Sequence, residues 1–190
     1  MAYLTQHQGM ENFLESLVRD HQRYEPIVQF LDNIVLNSKD LTWTELEVIG
    51  WEVANAAGSE FCAQLRKGMV NALEPSSETI HRLEACKKFA RDLVASPKSI
   101  DASRIDGLRA AGMSDQGIED VIGWVCILQL YAVLDQALGF TGLPQEVLNE
   151  IADGTVGAKG YVPSFQYFVG MVESTPVSKP GIDRNGKDHL

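Results

Sequence analysis

Apolar positions recur along this chain at intervals of three and four, the spacing that stacks side chains on one face of an α-helix. Phe13, Leu14, Leu17 and Val18, with His21, make a first set, and Ile27, Phe30, Leu31 and Ile34 a second. Pro26 lies between them and predicts a break, with the proline in the first turn of the second segment. Thr42, with Glu45 three residues on, predicts a capping box. Behind it Leu46, Gly50, Val53, Ala54 and Ala57 form one apolar arc, which Trp51 extends. Gly58 supplies a left-handed stop, and Ser59 caps the next helix, which runs to Ala72. Further helices are predicted over about 77–95, 102–111 and 115–138, the last stopped by Gly139, and one more begins at Pro144 and ends near Gly154. From Val121 onward the 115–138 segment is apolar almost all round, which predicts a central position. No run alternates with period two, so no sheet is expected. The expected fold class is all-α, a bundle of roughly six to eight helices, in a domain spanning residues 1–154. Residues 155–190 read as a C-terminal extension. Its glycines and Tyr161, Phe165, Tyr167, Phe168 and Met171 predict an amphipathic strand or short helix that docks on the body or on a neighbouring subunit. The closing STPVSKPGIDRNGKDHL has no core-forming pattern and reads as a tail.

Composition narrows the function. At 190 residues and 45% hydrophobic content, the chain can bury a sizeable single core. Twenty-six acidic against sixteen basic residues give a net charge of −10, and no basic cluster interrupts it, so nucleic-acid binding is not expected. The longest apolar run, Val121 to Leu134, contains Gly123 and Gln129 and is shorter than the roughly 20 residues of a membrane span, so no membrane partner is expected. The segment MAYLTQHQGMENF shows no basic region followed by an apolar run. Together with an odd count of three cysteines, at 62, 86 and 126, this points to a reducing, cytoplasmic location. Neither the cysteines nor the histidines at 7, 21, 81 and 189 have metal-ligand spacing, so no metal and no cofactor are expected. His21, on the apolar side of its helix, reads as a satisfied, partly buried residue.

Glu47 is the residue that does not fit its helix. It falls between Gly50, Trp51 and Ala54, inside the apolar arc, whereas Glu45 and Glu52 project from the other side toward water. A carboxylate so placed must find a partner or become protonated. The candidates nearest in sequence are Arg66 and the polar atoms of Ser59 and Cys62. Cys62 sits in the first turn of the helix that Ser59 caps, where the dipole favours a thiolate, and Arg66 follows four residues later on the same face. Burial would act in the opposite direction, so the net sign of the shift separates a reactive cysteine from an inert one. Gln129 and Asp135 are polar exceptions inside the central helix. Gln129 could line the same cavity as Glu47, with core hydrogen bonding as the plainer reading.

These residues resemble a known pattern. Glu-x11-Cys-x2-Cys-x3-His marks the alkyl hydroperoxidase D-like proteins of the carboxymuconolactone decarboxylase superfamily. Glu47 takes the glutamate position, Ser59 the first cysteine, Cys62 the second, and Arg66 the histidine. The spacing is kept without a gap, and two of the four residue types match. The resemblance extends from about Phe13 to Gly139, including GMSDQGIEDVIGWV and QALGF. It implies a helical homo-oligomer in which two cysteines cycle between dithiol and disulfide while Glu and His relay protons. Here Ser59 cannot form that disulfide, and Arg66 cannot exchange protons near neutral pH.

Three readings follow. The chain is a single-thiol peroxidase or oxidoreductase of weak or lost activity, with Cys62 as redox centre, Glu47 as proton acceptor, Arg66 holding the thiolate, and an external thiol as reductant. Or it is a thiol-independent enzyme of the same superfamily, with Arg66 binding a substrate carboxylate. Or it is a non-catalytic helical oligomer that binds a small ligand or a partner.

Overall fold

The computed structural model describes residues 2–10, 12–74, 80–140 and 142–174. The expected tail over 175–190 and the expected helix start at 77–79 lie outside them. Among the described residues there are nine α-helices and no strand. They are α1 Phe13–Arg19, α2 His21–Asn37, α3 Trp43–Ala56, α4 Glu60–Ala72, α5 Ile80–Ala95, α6 Ala102–Ala110, α7 Asp115–Leu138, α8 Gln145–Gly157 and α9 Tyr161–Ser174. Single 3-10 turns occur at Thr5–His7 and Pro97–Ser99.

Local side chains set most helix starts. Asn12, Thr42, Ser59, Asp101 and Ser114 each accept a hydrogen bond from the backbone N–H three residues on, which stabilises a helix by about 1 kcal/mol per cap. At Thr42 the capping box is complete, since the Glu45 carboxylate takes the Thr42 backbone N–H at 2.8 Å. Gly58 and Gly139 have φ of +70°, and each stops its helix as expected.

The core is built where α3, α4 and α7 meet. Helix α7 is long and apolar enough, by length and composition, to cross a membrane. Its Val121, Trp124, Val125 and Leu128 are packed inside the protein. Trp124 reaches α3 edge-on, and its indole N–H donates to the Leu46 carbonyl at 2.7 Å. Gly50 makes this approach possible. A Cβ there would stand 2.9 Å from Leu128 Cδ1, 3.0 Å from Trp124 Nε1 and 3.3 Å from Arg66 Cδ.

Several expectations need correction. The break falls at Asp20, and Pro26 lies inside a continuous α2. Proline removes one intrahelical bond, and because Pro26 is exposed, the carbonyl freed one turn earlier can turn to water. Glu45 does not face water. It is fully buried, because α5 covers that side of α3 and brings Arg82 Nη2 to 3.3 Å from the carboxylate. Glu52, also on that side, pairs with Lys87 and Arg91. Trp51 stands at the edge of the apolar arc and is 39% exposed. Helix α8 continues to Gly157, and residues 161–174 form a full helix, which takes the count among the described residues to nine.

That last helix docks on α1 and α2 of the same chain. Its start is held from a distance, because buried Asp32 of α2 accepts the Tyr161 backbone N–H at 2.6 Å. Gly160 leaves the room, since a Cβ there would meet Asp32 Oδ1 at 2.8 Å.

Gly50→Ala tests the central packing. Alanine gains up to about 1 kcal/mol of helix propensity, while overpacking costs about 1–3 kcal/mol. The Trp124–Leu46 hydrogen bond would be strained as well. Urea unfolding is expected to show a net loss of about 1–2 kcal/mol, and an unchanged or raised midpoint would contradict the close approach.

Candidate functional site

Helices α3 and α4 form a hairpin across Gly58 and carry all four residues singled out in the sequence. Glu47 of α3 is fully buried, and Arg66 of α4 is 4% exposed. Arg66 Nη1 donates to Glu47 Oε2 at 3.0 Å. The other carboxylate oxygen accepts the Trp43 indole N–H at 2.9 Å and the Tyr161 hydroxyl. Arg66 Nη1 also donates to the Tyr161 oxygen at 2.5 Å. The guanidinium carbon lies 5.6 Å from the Trp124 ring centre and 5.3 Å from that of Tyr161, within cation–π range of both. Burial by itself opposes the Arg66 charge, but Tyr161 and Glu47 outweigh it and hold the guanidinium above its ordinary pKa. Burial raises the Tyr161 phenol well above its usual range, so it stays a neutral donor.

Cys62 and Ser59 belong to a second group. Ser59 accepts from the Cys62 backbone N–H at 3.2 Å and donates to Asp135 Oδ2 of α7 at 3.1 Å. Cys62 is buried, and that burial raises its thiol pKa. Ser59 and Arg66 pull the other way without reversing it, and Asp135 adds to the rise. The Asp135 carboxyl is itself raised by burial, against a lowering by Ser59. At neutral pH Cys62 is a thiol. Cys86 is fully buried beside Arg82 and Glu45, with its thiol pushed up to about 11, and Cys126 is exposed.

A cavity of about 730 Å³ opens between α1, α2, α4, α7, α8 and α9. Its wall is largely apolar, with Phe13, Leu31, Phe61, Leu65 and Phe165 prominent. Cys62 and Arg66 line it, joined by Tyr131 and Tyr161. Glu47 sits behind Arg66, and Ser59 opens onto a separate, smaller depression with Trp51, Asn55 and Lys67. The four sequence candidates are therefore adjacent but divided. Two face the cavity, one is sealed behind it, and one faces elsewhere. Gln129 is half-buried and lies on neither wall. His21 pairs with Glu173 at 3.4 Å. Among the described residues no group of three or more His, Cys, Asp or Glu side chains is placed to hold a metal ion.

Sequence reasoning missed Trp43, Trp124, Tyr131 and Tyr161. Trp43 was within reach, since it stands four residues before Glu47 on one helical face. Tyr161 had no local signal beyond an aromatic-rich segment, because its partner lies 114 residues away.

No protein-family model matches this chain, and no curated protein matches it. Among solved structures it is similar to an uncharacterized peroxidase-related protein from Silicibacter sp. TM1040. The two are 16% identical, with a TM-score of 0.56 over 70% of this chain and 76% of that one. The likeness is one of fold.

Removing one partner of a buried ion pair leaves the other charge uncompensated, at a cost of about 3–5 kcal/mol. Arg66→Met is expected to lose that much in urea unfolding, and Glu47→Gln combined with Arg66→Met is expected to recover more than half. A single-variant loss below about 1 kcal/mol would mean that the pair is not desolvated.

Proposed function

We propose that this chain is an alkyl hydroperoxidase D-like protein that does not run a thiol redox cycle, and that its working site is the cavity beside Arg66, which binds an apolar small molecule. The observation that carries the reading is the division of the four motif positions. Cys62 and Arg66 line the cavity, while Glu47 is sealed behind Arg66 and Ser59 faces another depression. The Glu47 oxygens accept three hydrogen bonds, from Trp43, Tyr161 and Arg66, and none from Cys62 or Ser59, so no hydrogen bond joins the carboxylate to Cys62 as a proton relay would need. Arg66 at the histidine position keeps its proton. A serine at the first cysteine position removes the resolving thiol.

One observation favours the single-thiol peroxidase instead: Cys62 does reach the cavity wall, next to a fixed cation. In that reading the thiolate would attack a peroxide oxygen, release an alcohol and become a sulfenic acid. One external thiol would condense with it to a mixed disulfide and water, and a second would release Cys62 as a thiol with an external disulfide.

The two readings separate on Cys62 alkylation, measured against pH in a Cys126→Ser background so that the exposed thiol does not interfere. Burial favours the neutral thiol, so the thiolate fraction at any given pH falls below that of a free cysteine. The rate profile should therefore rise only above the usual pKa of about 8.5. Peroxide consumption with dithiothreitol supplied is expected to be the same for wild type and Cys62→Ser. Rapid alkylation at neutral pH, with turnover lost in Cys62→Ser, would refute the proposal in favour of the peroxidase.

A further inference from the structure

We propose that the cavity takes an uncharged, mostly apolar molecule with one carbonyl oxygen, and that this oxygen is received on the wall formed by Arg66, Tyr131 and Cys62. The inference rests on the cavity being the working site and adds the chemistry of its occupant. A volume of about 730 Å³ lies within the range of sites that enclose small organic molecules. Its apolar lining selects an apolar body.

The polar groups of the wall fall into two sets. Thr155 donates to the Ile151 carbonyl at 2.8 Å and shares a hydrogen bond with Ser164 at 3.0 Å, so these two serve each other and their own helix. The second set is short of acceptors. Arg66 Nε is buried with no hydrogen-bond partner but is closed off from the cavity, so Arg66 acts on the wall through its charge. The Tyr131 hydroxyl makes no hydrogen bond to any described residue, and burial keeps its proton on. Cys62 is held as a thiol, and the three groups lie within one another's electrostatic reach. The Tyr131 phenol and the Cys62 thiol each keep a proton to donate, and the Arg66 charge that acts on both of them favours an acceptor oxygen over a second donor.

Charge decides which acceptor. Arg66 is already neutralised by Glu47 at 3.0 Å, and Asp135 lies behind Cys62. At the rim stands Glu15, paired with Arg19. A carboxylate on the ligand would add a second negative charge to a desolvated patch whose one cation is already balanced. A cationic head would face Arg66 directly. A neutral carbonyl uses the donors without either penalty.

The test is calorimetric binding of two probes of equal chain length, 2-decanone and decanoate, at pH 7.5. The ketone is expected to bind at least about tenfold more tightly than the acid. Tyr131→Phe, which leaves the Glu47–Arg66 pair intact, is expected to weaken the ketone about fivefold. Val147→Trp, which narrows the cavity at a partly exposed wall residue, is expected to weaken both probes. Decanoate binding as tightly as the ketone, or Tyr131→Phe without effect, would overturn this inference and leave the cavity as a binding site. Failure of both probes to bind the wild type, or unchanged binding in Val147→Trp, would overturn the cavity reading itself.

Discussion

A carboxylate with no contact with water has to be answered by its surroundings, and Glu47 makes that demand on four helices at once. Arg66 answers from α4, Trp43 from the preceding turn of α3, and Tyr161 from α9. Trp124 of α7 then joins Tyr161 within cation–π range of the guanidinium. Such a pair need not stabilise the protein relative to two apolar side chains of similar volume. Once one member is in place, however, the others are required, and they fix which faces of these helices meet. Gly50 belongs to the same arrangement, because the space it leaves is occupied by Trp124, Leu128 and the aliphatic stem of Arg66.

The parts of this structure that could be read beforehand are those decided over a few residues. The Thr42 and Ser59 caps, the Gly58 and Gly139 stops, and the length of α7 all follow from groups within one or two turns of each other. The partnership of Glu47 with Arg66 was also legible, since a charge on an apolar arc faces the core and Arg66 is the nearest cation on the next helix. Glu45 shows the limit of that reasoning. Its own helix marks it as outward, but whether a helix has one covered side or two depends on where α5 comes to rest.

Cys62 illustrates the same limit in energetic terms. The Arg66 charge was read with the correct sign, and the Ser59 hydroxyl, read only as a helix cap, favours the thiolate as well. Desolvation outweighs them, and it is set by the closure of the whole molecule around the residue. A capped cysteine near an arginine is thus weak evidence of reactivity until its burial is known. The similarity in fold to a peroxidase-related protein does not alter this, because the chemistry depends on side chains that a fold leaves free to vary.

The anchoring of α9 has a consequence in time. Tyr161 lies 129 residues beyond Asp32, which holds its backbone, and 114 beyond Glu47, which accepts its hydroxyl. At translation rates of about 5–20 residues per second, the ribosome delivers α3 roughly 6–23 seconds before the residue that completes its polar cluster. Through that interval the nascent chain holds Glu47 and Arg66 without the phenol between them, and the cavity without the wall that α9 supplies. Helix α9 closes the site, and the earlier part of the chain must keep a charged, half-covered interior soluble until it arrives.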